Sequence, residues 1–393
     1  MNLKFYTSAF LLISLLATVT SCKEEDPPQQ YMRGGNALVL ADDGNLVIAG
    51  YNTNSTKGYD ANLLKVSSSN GDTIWNRKFG GSYSDAFFSV KKANNGGYIA
   101  AGFSNKANAS SPAMSVVITD NNGNLVKSTT YGSSNSSQGF SILPHKSADS
   151  GYLVAGYIQK TGRTDRDIYL VKIDNAGIVQ WEKTIGARSQ DSYDTVHDAA
   201  YCVVAAADSG YYLTGSLNGN TSCCGKIFLM KVSPTGDSLW TRTFATGIGH
   251  SLTLTTDGGI AIGGTIQETD NHDIIVLKTD ADGNLQWSKI SGGTGYEYGA
   301  TMIETADGGF AITGITSSKG SGYDDFYLIK LNSTGMLEWD RTYGGADTDQ
   351  GYGLVEYGSG GFSITGLTNT GGSYIYVNRL SADGTQQWFK NIE

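Results

Sequence analysis

Apolar and polar positions alternate along the chain in short runs, and one such run returns seven times with a glycine at its end. The copies read LVIAG at 46–50, YIAAG at 98–102, YLVAG at 152–156, YYLTG at 211–215, IAIGG at 260–264, FAITG at 310–314 and FSITG at 362–366. Period-two alternation over so few residues, bounded by Gly, Asn and Asp, predicts β-strands, and the repeats carry no helical period. A second apolar run keeps step with the first: it closes on a base, passes a turn glycine and reaches tryptophan four residues after that glycine. Its copies are Lys65, Gly71 and Trp75; Lys172, Gly177 and Trp181; Lys231, Gly236 and Trp240; Lys278, Gly283 and Trp287; Lys330, Gly335 and Trp339; and Arg379, Gly384 and Trp388. All six tryptophans fall at this place, and the second repeat departs from the pattern with Lys127 after Gly123.

The glycines that end the first run lie 52, 54, 59, 49, 50 and 52 residues apart. Four strand-like runs per unit at this period signify a propeller blade. The prediction is an all-β chain, a seven-bladed β-propeller of four-stranded antiparallel blades over residues 36–393, with about 28 strands. The pattern resembles the bacterial β-propeller repeat families, including the group with Gly-x-x-x-Trp blades, some of which bind pyrroloquinoline quinone. The resemblance implies the fold. It does not carry the quinone: the acidic and basic ligand set of the quinone-dependent dehydrogenases is not found, those chains are longer, and no cofactor is expected. The recurrent tryptophan is expected to pack between neighbouring blades.

Composition supports this reading. Glycine makes up 52 of 393 residues, about twice its usual share, and charged residues are 17% against the usual ~25%, which excludes a coiled coil, a collagen or a disordered polyelectrolyte. The formal charge of −9 is opposite to the footprint a nucleic-acid partner requires, and none is expected.

Residues 1–21 read as an export signal, with Lys4 ahead of an apolar run from Ala9 to Val19 that is too short to anchor in a bilayer. The next four residues, VTSC at 19–22, resemble the bacterial lipobox, which implies lipidation of Cys22 and a membrane anchor there. The run KEED at 23–26 is similar to the signal that sends lipoproteins to the outer face of the outer membrane, and a polar spacer follows. The expected organisation is a signal peptide at 1–21, a lipidated tether at 22–35 and the propeller at 36–393. Cys202, Cys223 and Cys224 allow at most one disulfide among them, either vicinal or involving Cys202, and no metal site is expected.

With the strands of a unit labelled a to d in order, the a–b and c–d turns are short and glycine-rich, whereas the b–c loops vary in length and content. In an up-and-down blade the b–c and d–a connections share a face, so the variation gathers on one rim. That rim carries Asp85, Asp198, Glu297 and Asp349 at the start of strand a, accompanied by Tyr83, Tyr193 and Tyr296. Acids beside aromatic rings suit sugar recognition, and equally each acid suits a cap on its own turn. A second series, Asp60, Asp167, Asp273 and Asp325, stands five residues before the base that closes strand c, as an interblade salt bridge or a loop cap. His145, His197, His250 and His272 lack metal-type spacing, and neither a nucleophile elbow nor a phosphate loop occurs.

The leading expectation is a noncatalytic surface lipoprotein that binds a glycan or a protein through the loop-rich face. The alternatives are a glycan-active hydrolase or lyase using Asp198, Glu297 and Asp349, and a structural docking scaffold in an envelope complex. The mode of ring closure stays open, because residues 31–35 could add a strand to the last blade.

Overall fold

The computed structural model describes residues 33–53, 58–94, 96–105, 112–132, 134–145, 151–186, 197–219, 225–267, 271–358 and 360–393. Cys22, Tyr193, Cys223 and Cys224 lie outside them. Among the described residues the regular structure is 27 strands in six antiparallel sheets, without a helix.

The first sheet comprises β1 (Arg33–Leu40), β2 (Leu46–Thr53), β3 (Tyr59–Val66) and β4 (Thr73–Phe79). The second holds β5 (Asp85–Lys92), β6 (Tyr98–Ser104), β7 (Ala113–Thr119) and β8 (Leu125–Tyr131). The third holds β9 (Ser136–His145), β10 (Gly151–Gln159), β11 (Asp167–Asp174) and β12 (Val179–Ile185). A seven-stranded sheet follows: β13 (His197–Ala205), β14 (Tyr211–Gly219), β15 (Lys226–Val232), β16 (Ser238–Leu254), β17 (Ile260–Gln267), β18 (His272–Thr279) and β19 (Leu285–Ser291). The last two sheets are β20 (Glu297–Glu304), β21 (Phe310–Thr316), β22 (Asp325–Leu331) and β23 (Leu337–Tyr343), then β24 (Asp349–Tyr357), β25 (Gly361–Thr368), β26 (Tyr374–Leu380) and β27 (Gln386–Ile392).

Every sheet is a meander in chain order. The seven-stranded sheet joins two repeats through β16, whose first part pairs with β15 and whose second part pairs with β17. That 17-residue strand runs straight through FATG at 244–247, where other repeats leave strand d by a loop, so the strands number 27 and the sheets six.

The first strand of each repeat contacts the first strand of the next, from β1 through β5, β9, β13, β16, β20 and β24, and β24 returns to β1. Leu38, Leu46, Ile48 and Leu64 of the first sheet share a core with Ile375, Val377 and Ile392 of the last. The Arg33 amide donates to Ser373 Oγ at 3.2 Å across the same boundary. No sheet closes on itself among the described residues; closure is by side-chain packing. Residues 33–35 pair with β2 and add no strand to the last sheet.

Backbone sterics explain both glycine signatures. Each first strand skips a register, and the skipped residues include Asn36, Phe88, Phe140, Tyr201, His250 and Tyr352. Such a bulge pushes the carbonyl of the first strand toward its neighbour, where the glycine that ends the seven runs must sit. A Cβ on Gly50, Gly102, Gly156 or Gly366 would stand 1.8 Å from a carbonyl oxygen of the first strand.

In six of the seven repeats the c–d turn glycine receives the tryptophan of the preceding repeat. A Cβ on Gly123, Gly236, Gly283, Gly335 or Gly384 would meet a ring carbon of Trp75, Trp181, Trp240, Trp287 or Trp339 respectively at 2.7–2.9 Å. Trp388 completes the cycle on Gly71 at 2.7 Å. These glycines also have φ between +74° and +82°, which disfavours any side chain. Where Lys127 replaces tryptophan, the Tyr131 hydroxyl donates to the Gly177 carbonyl at 2.8 Å. The expected packing between repeats is thus a specific ring-on-glycine contact.

The lysines that close strand c are buried, and four of them turn away from the second acid series. Lys65, Lys231, Lys278 and Lys330 instead pair with Asp43, Asp208, Asp257 and Asp307 of the a–b turns at 2.7–3.0 Å.

Candidate functional site

The b–c and d–a connections meet on the face opposite these tight turns, and the four rim acids root them. Asp85, Asp198, Glu297 and Asp349 are only 1–2% exposed. Each accepts a backbone N–H: Gly81 to Asp85 at 3.0 Å, Asn218 to Asp198 at 2.7 Å, Gly293 to Glu297 at 2.7 Å and Gly345 to Asp349 at 2.6 Å. Three of these donors stand four residues before the acid, so each of those carboxylates caps the turn that leads into its own strand. The Thr316 hydroxyl adds a bond to Glu297 at 2.7 Å.

The tyrosines diverge. Tyr296 is 50% exposed on the d–a loop, with its backbone pinned by the Ser317 hydroxyl at 2.7 Å and by the Ser317 amide at 2.9 Å. Tyr83 is half-buried. Tyr323, on the b–c loop of the same repeat, is 69% exposed and was not among the sequence candidates.

The second acid series reaches the same spot as the first. In four repeats the acid near the start of strand c and the acid opening the next strand a converge on the glycine that follows strand d. Asp60 and Asp85 meet at Gly80, Asp167 and Asp198 at Gly186, Asp273 and Glu297 at Gly292, and Asp325 and Asp349 at Gly344. In each case both carboxylates lie within 3.1 Å of the point a Cβ would occupy. The loop-cap role is visible at Asp325, which accepts the Ser321 N–H at 2.9 Å. Burial raises Asp325 to about 6, assisted by the charges of Asp349 and Asp324, and burial also raises Asp349.

Toward the ring axis the skipped residues of four successive first strands touch ring to ring. Phe88 meets Phe140 at 5.4 Å, Phe140 stacks on Tyr201 at 4.8 Å, and Tyr201 meets His250 at 5.6 Å. His250 also lines a small pocket on the loop-rich side with Gly247, Ile248, Thr265, Gln267, His272 and Tyr298, with space for about one water molecule. His272 stacks on Tyr298 at 5.4 Å and meets Tyr296 at 5.6 Å. Burial holds His250 down to about 4 and lowers His272, so both imidazoles are neutral at pH 7. The spacing of these histidines hid them, because one stands on a first strand and the other at the start of a third. His145 and His197 stand at the ends of other strands. Among the described residues no group of three or more His, Cys, Asp or Glu could hold a metal ion. Cys202 is a free thiol whose Sγ donates to the Leu252 carbonyl at 3.7 Å.

Solved structures share the overall fold. A periplasmic gluconolactonase from Pseudomonas aeruginosa superposes with a TM-score of 0.57 at 11% identity, over 88% of this chain and 96% of that one. The fold is a β-propeller. Sqt1 of Chaetomium thermophilum, solved with the N-terminus of ribosomal protein L10, superposes at 0.51 with 9% identity over 92% of this chain and 89% of that one. BBS1N, solved in complex with ARL6DN, gives 0.50 at 11% identity over 93% of each chain. Identities this low establish the propeller fold alone. No family model and no curated relative matches the sequence.

Proposed function

We propose that the chain is a noncatalytic seven-bladed propeller that docks a protein partner through its loop-rich face. The cycle of first-strand contacts and of tryptophans on glycines supports seven blades, two of them fused through β16. The observation that carries the docking role is the pairing of buried, turn-capping acids with exposed rings above them. Glu297 holds the loop that presents Tyr296, and Asp325 holds the loop that presents Tyr323. A rigid base under exposed aromatics is what a protein-binding rim uses. Sqt1 and BBS1N, which share the fold, were both solved with protein partners, and this adds weight to a protein over a glycan.

In this reading Asp85, Asp198, Glu297 and Asp349 shape the rim without touching the partner. A hydrolase would need Asp198, Glu297 and Asp349 to face a substrate, whereas they are buried and bonded to their own loops. Lipidation of Cys22 and delivery to the outer membrane complete the proposal, with the tether joining the propeller at Arg33, on the loop-rich side. The test is parallel presentation of the soluble propeller to a glycan array and to solubilised envelope proteins. Saturable capture of one envelope protein with no glycan bound is expected. Binding of a glycan that is then cleaved would overturn the reading.

A further inference from the structure

Of the four carboxylate pairs, the one at Gly344 lies at the boundary between the sheet of β20–β23 and the last sheet, beneath the loop that carries Tyr323. Asp325 and Asp349 are 3% and 1% exposed. Their oxygens lie 2.6 Å and 2.5 Å from the same point at Gly344. At the Gly186 pair, Arg163 comes within 3.6 Å of Asp167. At Gly344 no base pairs with either acid among the described residues. Hydrogen bonds reach the two carboxylates from the Ser321 amide at 2.9 Å, the Gly345 amide at 2.6 Å, the Thr370 hydroxyl at 3.5 Å and the Thr368 hydroxyl.

The surrounding charges do not offset the pair. Asp324 precedes Asp325 and receives the Gln350 amide at 3.3 Å, and Asp347 stands in the loop before Asp349. Lys319, the base of the 317–324 loop, is engaged by Asp340 and by the Tyr327 hydroxyl. Arg341 on β23 lies over Trp339, Arg379 on β26 lies over Tyr357, and Tyr376 on β26 is a neutral phenol. Two ionised carboxylates buried beside one glycine repel each other, and protonation of either removes that repulsion.

We propose that the Asp325–Asp349 pair takes up one proton at this boundary, and that taking it from water tightens the 317–324 loop by removing the repulsion at its root while releasing it loosens the loop. The pair is then a pH-sensitive latch on the docking face, and its regulatory meaning rests on the docking reading above. The upward displacement of Asp325 to about 6 places the change in mildly acidic conditions.

The test is hydrogen exchange of the whole folded protein at pH 5 and pH 8, corrected for intrinsic rates and read at residues 317–324 and 344–348. In the wild type, protection there is expected to be at least about threefold higher at pH 5, with the tight c–d turns unchanged. Asp325→Asn keeps an acceptor for Ser321 and removes the charge, so it is expected to show the high protection at both pH values. Asp349→Asn provides the same test from the other partner. Equal protection at the two pH values in the wild type, or variants that follow the wild-type dependence, would overturn the latch. No partner enters this measurement, so it stands or falls apart from the docking reading.

Discussion

On the tight-turn face, each c–d glycine of six repeats carries a tryptophan from the repeat before, whereas on the loop-rich face four d–a glycines each carry two carboxylates. Both faces use a missing Cβ to bring two repeats together. The tight face fills the space with an apolar ring, which tolerates no change of turn length because glycine and ring must stay in register. The loop-rich face fills it with acids that accept backbone N–H groups, which fixes the roots of the loops and leaves their tips free to differ. Uniform turns on one side and variable loops on the other therefore follow from what each glycine receives.

The comparison can be broken most severely in the backbone that both faces share. Gly366→Ala places a Cβ 1.8 Å from the Gln350 carbonyl, and a loss of about 4 kcal/mol or more is expected in chemical denaturation. Trp75→Ala empties the contact with Gly123 and is expected to cost about 3–5 kcal/mol while leaving exchange in the loop-rich face nearly unchanged. Glu297→Ala removes the acceptor of the Gly293 amide and the Thr316 hydroxyl, and a loss of about 1–3 kcal/mol is expected, with faster exchange confined to residues 293–296 and 316–318. Lys278→Met removes a pair whose acid is largely exposed and should shift stability by about 0–1 kcal/mol.

Acid separates the faces in a different way. Asp325 is raised to about 6, above its ordinary value of 3.8, so the folded state holds the extra proton and stability rises as pH falls from 8 toward 4. Asp257 is held at about 2 by the Thr255 hydroxyl, the Gly259 amide and Lys278. Asp307 is also held at about 2, because bonds from Lys330, Thr305 and Gly309 outweigh the effect of burial. Their stabilisation is present above the ordinary carboxylate value and is lost as pH falls from 4 toward 2. Burial of neutral His250 and His272 opposes the Asp325 gain below about pH 6.5, because the unfolded chain takes up their protons first. The Asp325 contribution is therefore read as the melting-temperature difference between the wild type and Asp325→Asn, which should shift in favour of the wild type as pH falls from 8 toward 4, and strong acidification should lower both.

The strands and their order were legible because backbone sterics repeat: a bulged first strand demands glycine opposite it in every copy, and the turn glycine before tryptophan recurs for a similar reason. The fusion through β16 was not legible, since FATG at 244–247 carries the same kind of glycine as the loops elsewhere. Capping by Asp85, Glu297 and Asp349 has a local signature, a pair of glycines five and four residues ahead of the acid at 80–81, 292–293 and 344–345. The meeting of Asp325 with Asp349 has none, because it depends on how one sheet packs on the next. The same holds for His250 and His272, which share a pocket only through the pairing of strands, and for Tyr323, whose exposure no spacing reveals.

The central claim is that partners dock on the loop-rich face. Its most direct test compares capture of envelope proteins by the wild type, by Tyr296→Ala/Tyr323→Ala and by Leu239→Ala/Leu285→Ala, whose leucines are exposed at the rim of the tight-turn face. With all three proteins melting alike, the account predicts a partner held by the wild type and the leucine variant and lost by the tyrosine variant. A partner retained by the tyrosine variant and lost by the leucine variant would contradict it.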